Sequence, residues 1–450
     1  MFMKTKYKFR ELSGEGKLFV NNIFSSFNQK KIGYVVLRGY EQLPNAISND
    51  IDLGIVKRDK NISLDQIYKA ANNSNFKLIQ FNEKYNFLQL IFTSNAIIDV
   101  IKIDIWTELD YKGLRFAHLE KIINNFIEYR GIKIAKPLHE LEVTLTKELL
   151  HNGILKKDKF SLFREKLKNV DINITQSCLI SHISNMIQEI LKTRSYQSLN
   201  SNKLIRLFFF FYLKKNVFNT IILFSKYLFY QIKFSISKKG KFIVFIGPDG
   251  SGKTTISEYL LDKSFFIETI YKKKKYFHGR YSFLPDLKVF LKRNNNIFKD
   301  EKYDFTLKIN DHLKKNKIGK LRTNIYLLYY LFDFLLGNFF LFFVRRTNTI
   351  LIADRFWYDF FIQKYYLKHF KIFKFLYKNL LSKPDYLFFL KSNPEVIKSR
   401  KNELSFEEIK YQQQSIEKLI IQNYLCENVY IISSSEEIEN TIKKVLDLIF

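Results

Sequence analysis

Hydrophobic positions along the 450 residues change rhythm twice. Over 1–137, short apolar runs are separated by polar turns. "IGYVVLRGY" and "NDIDLGIV" read as strands, "LDQIYKAANNSNF" as a helix, and "FLQLIF" and "AIIDVIKIDIW" as strands again. This pattern predicts an α/β sheet of modest size. Over 138–240 the pattern is mainly helical. From 241 to 450 it runs strand, loop, helix, then strands alternating with helices, which predicts a parallel sheet with helices on both faces.

Two apolar stretches admit a membrane reading. Residues 203–241 contain Lys and Arg but no Asp or Glu. They read as a helical connector, or as an amphipathic helix lying on an anionic membrane. Lys214, Lys215, Lys226 and Lys233 break the apolar run, which favours the connector. The second stretch, "NIYLLYYLFDFLLGNFFLFFVRR" over 324–346, is long enough to span a bilayer. Asp333 and Asn338 interrupt it, and a buried helix is expected.

Composition narrows the classes. Hydrophobic residues make up 46% of the chain and charged residues 26%, which excludes a disordered polyelectrolyte. The net charge of +30 points to an anionic partner. Phe, Lys, Ile, Asn and Tyr are all frequent, and base composition of the coding DNA also produces such usage, so both sources of the charge stay open. Cys178 and Cys426 have no C-x-x-C partner, which argues against a disulfide scaffold or a zinc knuckle. The N-terminus shows no signal-peptide core. A cytoplasmic protein is expected, with peripheral contact at the inner membrane face as the alternative. No nucleic-acid module is visible, and a homodimer is compatible with the chain.

The chemistry concentrates in "FIVFIGPDGSGKTTISEYL", residues 242–260. An apolar strand meets a glycine-rich turn that matches G-x-x-x-x-G-K-[ST] with Gly247, Gly252, Lys253 and Thr254. In such a loop, here Gly247, Pro248, Asp249, Gly250, Ser251, Gly252, Lys253, Thr254 and Thr255, backbone N–H groups surround phosphate oxygens at a helix N-terminus. Lys253 neutralises phosphate charge and Thr254 is placed to ligate Mg²⁺. A second strand, "TILIADRFWYD", ends at Asp354, where a carboxylate positions Mg²⁺, followed by Arg355 for a phosphate. A third segment, "KPDYLFFLKSNPEVIKSRKNEL", opens a helix after Ser392 and Asn393 and brings Arg400 and Lys401 to its end.

Together "GPDGSGKTT", "DRFWYD" and "KPDYLFFLKSNPEVIKSRK" resemble the thymidylate kinase family of nucleoside monophosphate kinases over about 241–450. The resemblance implies ATP, Mg²⁺ and a phosphate-bearing acceptor, with dTMP the first candidate. It implies that Lys253, Asp354, Arg355 and Arg400 act in catalysis and that Asp249 contacts the acceptor sugar. One segment departs from the family: its R-E-P-G-G run is replaced by "YFHGRYSFLPDLKVF". His278 and Arg280 are the acceptor candidates there, and Phe356 or Trp357 is placed to pack on a ring. The departure is similar to divergent members from bacterial surface-polysaccharide settings, so a sugar-phosphate or polysaccharide acceptor stays open. A non-catalytic ATP-binding regulator is a third reading.

In the first part, "LRGYEQLPNAISNDIDLGI" sets Gly39 after a strand and alternates Asp50 and Asp52 on one side of the next. Asp104 lies on a later strand, with Asp99 as its stand-in. Three converging carboxylates would form a divalent-metal site. The set resembles the nucleotidyltransferase superfamily over about 30–115, which implies a nucleotidyltransferase-like domain. It departs where Tyr40 follows Gly39 in place of a small residue, and a non-catalytic domain stays open. The expected organisation is 1–137 nucleotidyltransferase-like, 138–240 helical connector, and 241–450 phosphate-loop domain.

Overall fold

The computed structural model describes residues 9–95, 98–152, 177–180, 183–184, 187, 201–237, 240–262, 264–285, 317–362, 371–402, 404–421, 426–435 and 437–450. The chain divides into two compact units, Met1–Ile236 with Phe450, and Ser237–Ile449.

In the first unit, α1 (Gly14–Gln29) starts where the Ser13 side chain accepts the Gly16 N–H. It buries Phe19, Val20, Ile23, Phe24 and Phe27 at helical spacing. These pack with α2 (Lys60–Asn72) and a mixed sheet. The strands are β1 (Tyr34–Arg38), β2 (Ile51–Ile55), β3 (Phe76–Lys84), β4 (Phe87–Ser94), β5 (Val100–Trp106), β6 (Ile127–Tyr129) and β7 (Ile132–Ile134), in the order β6-β7-β1-β2-β5-β4-β3. β2 and β5 run parallel and set Asp52 opposite Asp104. Edge strand β3 has no clean alternation of buried and exposed residues, so its sequence does not announce it.

A second core in this unit joins α3 (Pro137–Asn152) and α4 (Ser201–Lys215) to Val35, Leu109, Leu114 and Phe116. The expected helical region over 138–200 is described mainly as α3; 153–176 and most of 181–200 lie outside the described residues. The run over 203–241 forms α4 and α5 (Val217–Ile236), separated at Asn216, whose Oδ1 accepts the Asn219 N–H at 2.9 Å. Both helices belong to the first unit.

The second unit is built on β8 (Lys241–Ile246), β9 (Lys273–His278), β10 (Thr349–Asp354), β11 (Tyr386–Lys391) and β12 (Val429–Ser433). Every pair is parallel, in the order β9-β10-β8-β11-β12. Central β8 reads "KFIVFI" and is buried from Phe242 onward, as a strand covered on both faces must be. The helices used below are α6 (Lys253–Asp262), α7 (Lys317–Val344), α8 (Pro394–Arg400), α9 (Phe406–Ile421) and α10 (Ile438–Ile449).

Helix α7 is buried on one face only, through Leu327, Tyr330, Leu331, Phe334 and Leu341; Leu328, Phe332, Leu336, Phe339 and Phe343 are exposed. By length and composition its Leu327–Val344 window is apolar enough to cross a membrane, with mean hydropathy 1.9 and 44% of it buried. Asp333 sits on the packed side with no solvent exposure and accepts the Ser282 N–H at 3.2 Å and the Leu284 N–H at 2.7 Å. A polar residue that seemed to interrupt the helix therefore pins the chain that follows β9.

Candidate functional site

The phosphate loop leaves β8 at Gly247. A side chain there would come within 2.7 Å of Ser251 Oγ and 2.8 Å of the Leu390 carbonyl, so the close approach of β11 requires glycine. Gly252 has open space around it, but its φ of +90° excludes most side chains on backbone grounds alone. The loop then delivers Lys253 at the first turn of α6. Lys253 Nζ donates to the Gly247 carbonyl at 2.9 Å and the Pro248 carbonyl at 2.8 Å. The ammonium is buried, and desolvation lowers its pKa despite the nearby carboxylate of Asp354.

The neighbouring strand supplies the acid. Phe245 of β8 pairs with Asp354 of β10, so the carboxylate emerges beside the loop at the C-terminal edge of the sheet. Thr254 Oγ1 donates to Asp354 Oδ2 at 2.8 Å, and His278, opposite Asp354 on β9, brings Nδ1 to 3.4 Å. Burial pushes the Asp354 pKa up, but the His278 hydrogen bond, Lys253 and Thr254 outweigh it and hold it below its ordinary value. Asp354 Oδ1 is buried and, among the described residues, has no hydrogen-bond partner.

Arg355 follows in a left-handed conformation (φ 78°), as does Phe356 (φ 97°), a backbone strain of the kind that clusters at functional turns. Its guanidinium bridges Asp249 in the loop and Asp359, the latter at 3.0 Å. Burial disfavours the Arg355 charge, yet Asp359 and Asp249 raise its pKa above the ordinary value. Asp249 is in turn held low, because Arg355, Lys253 and Lys401 outweigh its burial. Arg400, at the end of α8, donates to the Ser434 carbonyl at 3.0 Å.

These groups enclose a cavity of about 580 Å³, lined by the loop, His278, Asp354, Arg355, Arg400 and Lys401. A cavity of this size suits a nucleotide-sized ligand, and its cationic lining suits phosphate. Ser434, Ile438 and Thr441 close it from the carboxyl end of β12 and from α10. The sequence reading missed these three; the polar run "SSSEE" straight after the last parallel strand was the available signal. It also missed Asp359, whose signal was its spacing of four from Arg355.

Three acceptor candidates do not line the cavity. Phe356 is 1% exposed, with Phe242 at 5.1 Å and Phe334 at 5.4 Å between ring centres, so it is a core residue. Trp357 is buried beside it. Arg280 donates to the Leu284 carbonyl at 3.0 Å, lies 3.9 Å from Asp333 and stacks 5.0 Å from the Tyr330 ring centre. It therefore braces the segment after β9. The rest of "YFHGRYSFLPDLKVF", from 286 onward, lies outside the described residues.

In the first unit Asp50, Asp52 and Asp104 lie near one another: besides burial, Asp52 raises the Asp50 pKa, and both Asp50 and Asp52 raise that of Asp104. Both Asp52 oxygens and one of Asp104 are engaged. Arg38 Nε donates to Asp52 Oδ2, Trp106 Nε1 reaches Asp52 Oδ1 at 3.3 Å, and Gln89 Nε2 donates to Asp104 Oδ1 at 2.9 Å. Lys147 of α3 lies 4.0 Å from the Trp106 ring centre and is attracted by all three carboxylates. Among the described residues no group of three or more His, Cys, Asp or Glu side chains is placed to hold a metal. The expected three-carboxylate metal set is thus not assembled, because protein cations and donors take its place. Asp99 is no stand-in: its carboxylate accepts the Ser13 N–H at 3.0 Å and fixes the start of α1. Burial and Asp50 push the Asp104 carboxyl up to about 7.

No family model and no curated protein matches the chain. Among solved structures, a thymidylate kinase from Ehrlichia chaffeensis is 17% identical, covering 47% of this chain and 99% of its own, with a TM-score of 0.30. A deoxyadenosine kinase from M. mycoides with bound dATP is 13% identical over 46% of this chain and 97% of its own, with a TM-score of 0.31. A thymidylate kinase from Candida albicans is 15% identical over 47% and 90%, with a TM-score of 0.29. Similarity at this level carries no argument about this chain's activity.

Proposed function

We propose that the unit Ser237–Ile449 transfers the terminal phosphoryl group of ATP to a phosphate-bearing acceptor, with a nucleoside monophosphate, dTMP, as the first candidate. The observation that carries the reading is Asp354 at the mouth of the loop, bonded to Thr254 through one oxygen and with its other, buried oxygen unpartnered among the described residues. Thr254 Oγ1 and an unpaired carboxylate oxygen fit Mg²⁺, a hard cation that takes oxygen ligands. When bound there, Mg²⁺ would offset charge on the β- and γ-phosphates.

The chain's own residues supply the rest. The loop N–H groups and the N-terminus of α6 hold the triphosphate. Lys253 exchanges its two carbonyl partners for phosphate oxygens. Arg355 and Arg400 both line the cavity, where fixed positive charge near the transferring group is worth most. Asp249 aligns Arg355 and offers its exposed edge to an acceptor hydroxyl.

A sugar-phosphate or polysaccharide acceptor is the second reading. It is favoured by the placement of Phe356 in the core and Arg280 on Asp333, so that among the described residues neither of these two candidates for a nucleobase monophosphate lines the cavity. Metal-dependent nucleotidyl transfer by the first unit is not part of the proposal, since Asp52 and Asp104 are engaged by Arg38, Trp106 and Gln89.

The test is ADP release from ATP and Mg²⁺ with a panel of nucleoside monophosphates and sugar phosphates. Acceptor-stimulated release that Asp354→Asn abolishes supports the kinase reading, and the stimulating acceptor decides between its two forms. ATP binding with no acceptor-dependent turnover would overturn it in favour of a regulatory ATP-binding unit.

A further inference from the structure

Helix α5 is apolar around most of its circumference, and the two halves have different surroundings. Its inner side rests on the first unit: the backbone at Leu223 and the Tyr227 side chain close against Gly113, Tyr230 meets Tyr85 at 5.7 Å between ring centres, and Lys84 lies 4.4 Å from the Phe234 ring centre. Its outer side carries Phe218, Ile221, Ile222, Leu228, Phe229 and Ile232, all exposed, with Phe218 at 75% and Phe229 at 65%. Only Thr220 of the helix is fully buried.

The charges on this face are lysines, and the acid beside them is Glu83 of β3, 3.7 Å from Lys233. Residues 201–241 contain no Asp or Glu, while Lys214, Lys215, Lys226 and Lys233 punctuate the apolar run. On the helix, Lys226 and Lys233 lie seven residues apart, two turns along one edge of the exposed stripe. A continuous apolar stripe edged by lysines suits the boundary between acyl chains and acidic headgroups.

We propose that the outer face of α5 docks the protein on an anionic lipid bilayer surface. The helix lies in the interface plane and does not span the membrane, because its inner side is already packed on protein. Phe218, Phe229 and Ile232 enter the acyl boundary, and the lysines meet acidic headgroups. A second copy of the chain fits this face poorly. A two-fold contact would bring two lysine-edged copies of the same patch into one interface, with no acid on the helix itself and Glu83 already shared between Lys60 and Lys233. Docking would hold the first unit at a surface, and the proposal does not rest on the kinase reading of the second.

The experiment is flotation of the full-length protein with vesicles of phosphatidylcholine alone, or with about 30% phosphatidylglycerol added. Binding is expected to the anionic vesicles, to weaken as salt is raised, and to be absent with phosphatidylcholine alone. The double variant F229E/I232E replaces exposed residues only, so its melting curve should match the parent, and its apparent vesicle affinity should fall about tenfold or more. An F339S/F343S variant on the exposed face of α7 should bind like the parent. Equal binding by F229E/I232E, or loss of binding only in F339S/F343S, would overturn the assignment to α5. No binding to anionic vesicles, together with a dimer in sedimentation that F229E/I232E dissociates, would overturn it in favour of a contact between copies.

Discussion

At the scale of single residues, Lys253 and Asp104 show opposite uses of a buried charge. Lys253 is held by two loop carbonyls, and burial lowers its pKa, so its charge is kept only where something anionic rewards it. Lys253→Ala should lower kcat for phosphoryl transfer by about a hundredfold or more. The same variant should leave the secondary structure unchanged by circular dichroism, which separates lost catalysis from lost folding. Asp104 is the reverse case, a carboxyl that burial and Asp50 push up to about 7. The folded state therefore holds this proton more tightly than the unfolded chain. The stability Asp104 contributes is fully present below about pH 4 and is lost as pH rises towards 7. Urea titrations at intervals across that window should show the first unit losing stability with pH, and Asp104→Asn should flatten the slope. A parent slope identical to that of Asp104→Asn would remove the basis for the shift.

At the scale of elements, α7 does two things that its apolar sequence hides. It fills the core of the second unit and, through Asp333, it holds the segment that follows β9 by two backbone N–H groups. Arg280 closes the same arrangement from the segment's side. Removing the carboxylate takes the acceptor from two part-buried backbone donors and the negative charge from beside Arg280. Asp333→Ala should destabilise the second unit by about 1–3 kcal/mol. It should also raise the KM for the acceptor more than the KM for ATP, since His278 lies just before the segment and lines the cavity. Equal rises in both KM values would mean that the segment does not shape the acceptor side.

At the scale of the whole molecule, each unit has its own sheet and its own buried cores. Independent cores predict separable unfolding. Calorimetry should resolve two transitions, and ATP with Mg²⁺ should raise only the one belonging to Ser237–Ile449. At a ligand concentration of 100 times Kd the stabilisation should be about 2.7 kcal/mol. A single transition that moves as one with nucleotide would show that the units unfold together.

The sequence by itself determined whatever local spacing encodes. The loop from Gly247 to Thr255, the strand ending at Asp354 and the capped helix ending at Arg400 were each legible, because a turn, a strand end and a helix cap are properties of consecutive residues. The parallel sheet followed from alternating strands and helices. Only the tertiary structure decided which side chains meet. "DRFWYD" gives no hint that Arg355 turns to Asp249 and Asp359 while Phe356 goes into the core, since the left-handed turn at both residues sends neighbours in opposite directions. Alternation put Asp52 on a strand beside Asp104 but could not foresee Arg38 bonding Asp52 and Lys147 of α3 standing near all three carboxylates. The two membrane-like stretches carry the same lesson. Burial of one face of α7 and exposure of the outer face of α5 depend on what packs against each helix, and hydropathy along a chain records only its composition.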